Sequence, residues 1–251
     1  MQTSTFDGVR VLQIIGDIHN KHEVYNRELI AGRDKCYAHN LSCEEIDQQL
    51  KTVQIGDLTD NYTEFFDHLS SPEIDSSHNG VYDRQNLLLQ GNHDPSKAVP
   101  CCLPRFGESN GVFWVSGAYS IDKNLQSNWN PDEELSMAEC YRAVELYASL
   151  DIKPSVIISH DCPNYIRKDK PLKIESQTRT SDLLQALLEI HAPDIWVFGH
   201  HHTHLWNWYS DKQMMAIGLE EGESVMIELD TTDAKEIPII WGSPKIEDRS
   251  Y

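Results

Sequence analysis

Short apolar runs recur along the chain, and each breaks off at a polar or glycine-containing turn. Val9-Arg10-Val11-Leu12-Gln13-Ile14-Ile15 leads into Gly16-Asp17, Thr52-Val53-Gln54-Ile55 into Gly56-Asp57, and Leu87-Leu88-Leu89-Gln90 into Gly91-Asn92-His93. Pro154 to Ser159 stops at His160, and Asp194 to Phe198 stops at Gly199-His200. Their length and their turn boundaries predict buried strands. Between them, helical spacing is predicted over 22–33, 42–51, 60–69, 133–150 and 180–191. Ser42 with Glu45 three residues on forms a capping pattern. Leu183, Leu184, Leu187, Leu188 and Ile190 form one apolar helix stripe. After residue 203 the texture turns to strands, over 204–209, 213–219 and 223–229, with Gly222 at a turn; Ile237 to Trp241 reads as a final edge strand.

Early alternation of β and α followed by a β-rich end predicts an α/β layered sandwich rather than a bundle or barrel. No repeat and no Pro- or Gly-rich linker interrupts the chain, so a single domain over 1–251 is expected. No apolar run approaches the length of a membrane span. Met1 to Gly8 lacks the basic-then-apolar pattern of a secretory leader.

Charge narrows the partners. With 40 acidic against 21 basic residues, the formal charge is −19. Such a surface disfavours long nucleic acid as a partner, because phosphate neutralisation supplies most of that affinity. The six cysteines contain no CxxC pair. They read as reduced thiols, and a cytoplasmic location is expected.

The polar residues that end the strands carry the chemistry. Asp17, His19, Asp57, Asn92, His160, His200 and His202 offer seven oxygen and nitrogen donors. Ligand sites of open sheets collect at strand carboxyl ends, where separated positions converge. One ion takes about four to six ligands, so seven suit two ions with a shared bridge. The set holds no cysteine, which disfavours a structural zinc site, and its mixed ligation suits Mn, Fe or Zn. Two such ions about 3.5–4 Å apart clamp an in-line displacement at phosphorus. His22, His39, His68, His78, His191 and His204 read as ordinary surface or core groups, and Asp60 as a helix-entry carboxylate. His201 is expected to point away from its two neighbours, as alternate residues on an extended stretch do.

The series Gly16-Asp17-Ile18-His19, Gly56-Asp57, Gly91-Asn92-His93-Asp94, Ser159-His160 and Gly199-His200-His201-His202 resembles the calcineurin-like metallophosphoesterase family, with all blocks in family order. The resemblance implies a four-layer αββα sandwich of mixed sheets, with a dinuclear metal site at the carboxyl-terminal strand edge. It implies Asp17, His19 and His202 as ligands of the first ion, Asn92, His160 and His200 of the second, and Asp57 as the bridge. Hydrolysis would proceed by attack of a metal-bridging hydroxide on a phosphate mono- or diester. His93 would protonate the leaving oxygen or steady the transition state, and Asp94 would orient His93.

The substrate is left open. The protein phosphatase branch extends its second block to Asp-Arg-Gly, whereas this chain reads Gly56-Asp57-Leu58-Thr59-Asp60-Asn61. Its phosphate-gripping arginine is absent from that place, with Arg84, Arg105, Arg167, Arg179 and Lys97 as candidates elsewhere. Gly117 to Asp122 and Trp129 to Glu134 are similar to an insertion in uncharacterised bacterial and phage phosphoesterases. The stretch about 116–135 reads either as a substrate-lining lid, with Tyr119 and Trp129 for stacking, or as a packed loop. The acidic surface favours small or nucleotide-like substrates. A nuclease of the same fold and a non-catalytic scaffold are the alternatives.

Overall fold

Strand β1 (Val11–Ile15) is buried at all five positions, which explains why its sequence is nearly continuous in apolar residues rather than alternating. It lies parallel to β2 (Leu50–Gln54), and β2 parallel to β3 (Asn86–Leu88). On its other side run β10 (Ser224–Glu228) and then β11 (Ile239–Trp241), both antiparallel to their neighbours. These form one mixed sheet in the order β11-β10-β1-β2-β3. The computed structural model describes residues 5–69, 86–95, 99–120, 132–170, 172, 177–229 and 239–241.

A second mixed sheet has the order β4-β5-β6-β7-β9-β8. Its members are β4 (Phe106–Ser109), β5 (Val112–Val115), β6 (Val156–Ser159), β7 (Ile195–Phe198), β8 (Leu205–Tyr209) and β9 (Met214–Gly218). The run β5-β6-β7-β9 is parallel.

Alternation along the strands separates the cores. Leu12 and Ile14 of β1, Val53 of β2, and Val225 and Ile227 of β10 share one cluster with Trp114, Ile158, Val197 and Ile217 of the second sheet. The opposite face of β6 and β7 sends Ile157, Trp196 and Phe198 against α4 (Met137–Ser149), α5 (Asn164–Asp169) and α6 (Arg179–Ile190). The leucine stripe of α6 is the part of that cluster legible as a helix face. On the first sheet, Ile15 and Leu88 meet Tyr25 and Leu29 of α1 (His22–Ala38) and Phe65 of α3 (Tyr62–Leu69). Val11 and Met226 meet Ile46 of α2 (Cys43–Gln49). Truncating one of these buried leucines to alanine would cost about 2–5 kcal/mol.

Several boundaries differ from the sequence expectation. The helix expected over 42–51 ends at Gln49, and β2 begins at Leu50 because Leu50 pairs with Val11. The expected Ser42–Glu45 capping box is present. The helix expected from 133 starts only at Met137, where Ser136 and Glu139 make a second capping box. The β4–β5 hairpin was not anticipated, although Asn110-Gly111 signals it: both residues have positive φ, 50° and 75°. Helix α5 was also missed. It is only six residues long and lacks a side-chain N-cap. Of the stretch 116–135, residues 121–131, with Trp129, lie outside the described residues. Its flanks are tied by the Ser120 amide donating to the buried Glu133 carboxylate at 3.1 Å.

Candidate metal centre

Strand register sets the site. Ile15 is level with Gln54, and Gln54 with Leu88, so the loops opening at Gly16, at Ile55-Gly56 and after Leu88 leave one edge of the first sheet together. Val115, Ser159 and Phe198 are likewise level, so His160 and Gly199 leave the second sheet side by side. The Gly199 amide donates to the His160 carbonyl at 3.1 Å. Gln54 then links two loops of the first sheet: its amide group donates to the carbonyls of Gly16 and Gly56 and accepts from the Gly56 amide at 3.2 Å. Sequence reasoning passed over this residue; its signal is a polar side chain inside an otherwise apolar strand.

Glycines are required where loops close on ligands. A Cβ at Gly56 would collide with the His160 ring, and one at Gly91 with the Asp57 carboxylate and amide. The ligand positions themselves are strained. His19, Asp57, His200 and His202 have φ of 48°, 53°, 64° and 45°. Non-glycine residues held there cost about 1–3 kcal/mol each, and such strain clusters at functional sites.

Two groups of donors form. In the first, Asp17, His19 and His202 bring one ligand atom each within 4.8 Å of the others. His19 Nε2 lies 2.9 Å from His202 Nε2, and His202 Nε2 lies 3.0 Å from Asp17 Oδ2. In the second, Asp57, His160 and His200 do the same, and all three are buried. Asn92 joins them, its Oδ1 3.0 Å from His160 Nε2, while Asp57 Oδ1 stands 3.4 Å from that nitrogen. The groups touch: Asp17 Oδ1 is 3.9 Å from His160 Nδ1, and the Asp17 carboxylate accepts the His200 amide at 3.0 Å. All seven expected ligands therefore lie in these two adjoining groups.

Electrostatics follow burial. Burial alone would raise the Asp57 acid, but His160, His93 and His200 hold it well below the usual carboxylate range. Burial opposes charge on His160, yet Asp57 and Asp17 push its imidazole up to about 10. Burial drives His200 well below its ordinary value despite Asp161 nearby, and it lowers His19 against the pull of Asp57 and Asp17. His160 Nδ1 faces the Ile55 carbonyl at 2.8 Å, which directs Nε2 toward Asn92 and Asp57. A backbone carbonyl on the far nitrogen is the usual way a ligating histidine is oriented.

The residues fit metal ions. His200 Nε2 is buried with no hydrogen-bond partner. A sealed nitrogen on a neutral ring, beside the ionised Asp57, is a donor that a cation would satisfy, as buried polar atoms mostly are paired.

His93 is exposed, its ring 5.8 Å from that of His19, and its amide donates to Asp57 Oδ1 at 2.9 Å. Asp94 does not do what was expected of it. Its Oδ1 accepts the amides of Leu58 and Thr59, and its Oδ2 those of Asp57 and Gly91, at 2.7–3.1 Å. A carboxylate has about four acceptor positions, so none is left for the His93 ring. Asp94 instead locks the loop of Asp57 to the loop of Asn92. Burial and the Asp57 charge raise its acid to about 7, against the amides of Gly91 and Thr59.

Among the arginine candidates, Arg167 is buried in an ion pair with Asp161. Arg179 lies 3.7 Å from Glu134, and Arg105 is half-buried with its Nε unpartnered. Arg84 and Lys97 lie outside the described residues. A third group, Asp161, Cys162 and His201, is buried throughout. No sequence signal singled it out, because it becomes a group only when β6 and β7 lie together.

No family model matches the chain, and no curated protein does. Among solved structures, it is similar to a phosphopantetheinyl hydrolase from Mycobacterium tuberculosis, with a TM-score of 0.44 and 16% identity, over 86% of this chain and 91% of that one. It is also similar to a cold-active protein tyrosine phosphatase, with a TM-score of 0.38 and 14% identity, over 88% of this chain and 74% of that one.

Proposed function

We propose that the protein is a metal-dependent phosphoester hydrolase of the calcineurin-like type, acting on small or nucleotide-like phosphate mono- or diesters. The observation that carries this reading is the pair of adjoining oxygen–nitrogen donor groups, with His200 Nε2 sealed and unpartnered beside Asp57. Asp17, His19 and His202 would hold one ion and Asn92, His160 and His200 the other, with Asp57 between them. Two such ions supply Lewis-acid charge to a phosphoryl group and acidify water near neutral pH. The protein's share is positioning: Asp94 holds two ligand loops in register, and Ile55 fixes the His160 ring. Exposed His93 at the rim would give a proton to the leaving oxygen or steady the transition state.

In this reading the layering is αββα, the site lies at the carboxyl edge of both sheets, and one domain spans 1–251. The ions would be Mn, Fe or Zn. A cytoplasmic setting suits the six cysteines, none of which forms a disulfide; no helix among the described residues is long and apolar enough to cross a membrane. The nuclease alternative gains no support from Arg167, whose charge Asp161 takes up. Lys168 and Lys170 line a surface depression with Trp208 and Tyr209 that includes none of the candidate ligands.

The test is a paired assay on metal-stripped protein resupplied with Mn²⁺, following p-nitrophenol release from mono- and bis-(p-nitrophenyl) phosphate. Restored turnover supports the hydrolase, and the diester-to-monoester ratio ranks the substrates. Bound metal without turnover on either ester would favour the scaffold.

A further inference from the structure

The third buried group has a connectivity that the first two explain. His160 and His200, ligands of the buried ion in the proposed function, are each followed directly in sequence by a member of this group, Asp161 and His201. The two followers meet behind the ligands: His201 Nε2 lies 3.0 Å from Asp161 Oδ1. The Cys162 amide donates to the same oxygen at 2.6 Å. Arg167, from α5, donates to Asp161 Oδ2. The Cys162 thiol lies 3.5 Å from His201 Nε2.

A third cation site is the first reading of such a group, and its charges speak against it. The Arg167 guanidinium already neutralises Asp161 and takes up its Oδ2, and the Cys162 amide and His201 take up its Oδ1. The backbone gives the group another purpose. His200 and His202, on either side of His201, both hold positive φ. Strained non-glycine residues persist only where their surroundings over-determine them. Asp17 holds them from the ligand side, through the His200 amide and the His202 ring, and His201, wholly buried between the two, is an anchor on the other.

We propose that Asp161, His201 and Arg167 form a buried clasp that fixes the spacing of His160 and His200 and thereby sets the affinity of the buried cation site. The inference rests on the metal-binding reading above. Asp161 and His201 are positioning residues: neither belongs to the two candidate ligand groups, and both act through the ligand that precedes them.

The test is calorimetric titration of metal-free protein with Mn²⁺, with the apo melting temperature measured in parallel. His201→Phe keeps a ring but removes the donor to Asp161, whose Arg167 and Cys162 contacts remain, so the fold is retained. It is expected to weaken the buried site by about 10–100-fold, as loss of an outer-shell partner does, and the open site by less. His201→Gln, which keeps an N–H donor, is expected to recover most of that loss, and Asp161→Asn to reproduce the weakening. Wild-type affinity at both sites in His201→Phe overturns the clasp while leaving the metal reading standing. Weakening that tracks a fall in melting temperature and is not recovered by His201→Gln also overturns it. A wild-type protein that binds no Mn²⁺ removes the metal reading itself, and the clasp with it.

Discussion

The two ligand groups face solvent differently. Asp57, His160 and His200 are all buried, whereas in the other group only Asp17 is, with His19 and His202 partly open. Burial has consequences for chemistry. The buried group has the large shifts, an imidazole pushed up to about 10 and a neighbour held neutral, and its His160 ring is set by a backbone carbonyl and an asparagine. The open group meets His93 at the rim. A preorganised, water-excluded half beside an accessible half is the arrangement expected where one side holds charge and the other admits substrate.

The largest effect should come from the residue proposed to stand between the two ions. Asp57 belongs to the buried group by contact and also faces His19. Asp57→Asn is expected to lower metal-restored turnover by on the order of 10²–10³-fold and to weaken binding of both ions. Loss of only one ion, by elemental analysis, would confine Asp57 to the buried half. His93→Ala should slow turnover by about 10²-fold or more with metal content unchanged; a drop in metal content would make His93 a ligand instead.

Gly91→Ala probes the buried half alone. Its Cβ would strike Asp57 and lie 2.8 Å from His160 Nε2, so a loss of about 1–3 kcal/mol is expected in denaturant titration. At Gly111, φ is +75° and the nearest atom to a Cβ is 3.8 Å away; an alanine there should show backbone strain without collision. Equal effects at both would remove the claim that Gly91 makes room for the ligands.

The smallest effect is in pH. The His160 pKa is raised to about 10, so its contribution to the metal-free fold is fully present below the unfolded value near 6.5 and is lost as pH rises through 10. The metal-free melting temperature should therefore fall from pH 7 toward 10, while Mn²⁺ affinity rises over the same range as the proton leaves the ligand nitrogen. A melting temperature flat in pH, or Mn²⁺ affinity falling with pH, would put the His160 charge in the wrong place.

Much of the site was legible in sequence because strand ends are local features. Gly16-Asp17, Gly56-Asp57 and Gly199-His200 announce a turn and a candidate ligand within two residues. Where sequence reasoning erred or stopped, the missing information was tertiary. Asp94 stands next to His93 in sequence, but three of its four partners are amides of a loop 35 to 37 residues away. His201 was set apart from its neighbours on the expectation of an extended stretch, but positive φ at His200 and His202 takes this segment out of strand geometry, and nothing local shows that Asp161 receives His201. The strand β2 starts earlier than its apolar run because pairing with β1, not composition, sets that boundary.

The central claim is that two ions share Asp57. Electron paramagnetic resonance of the protein loaded with Mn²⁺ tests it most directly. The predicted result is an exchange-coupled dinuclear signal that Asp57→Asn abolishes. The hyperfine pattern of isolated Mn²⁺ at every loading, or a protein that takes up no Mn²⁺, would contradict it.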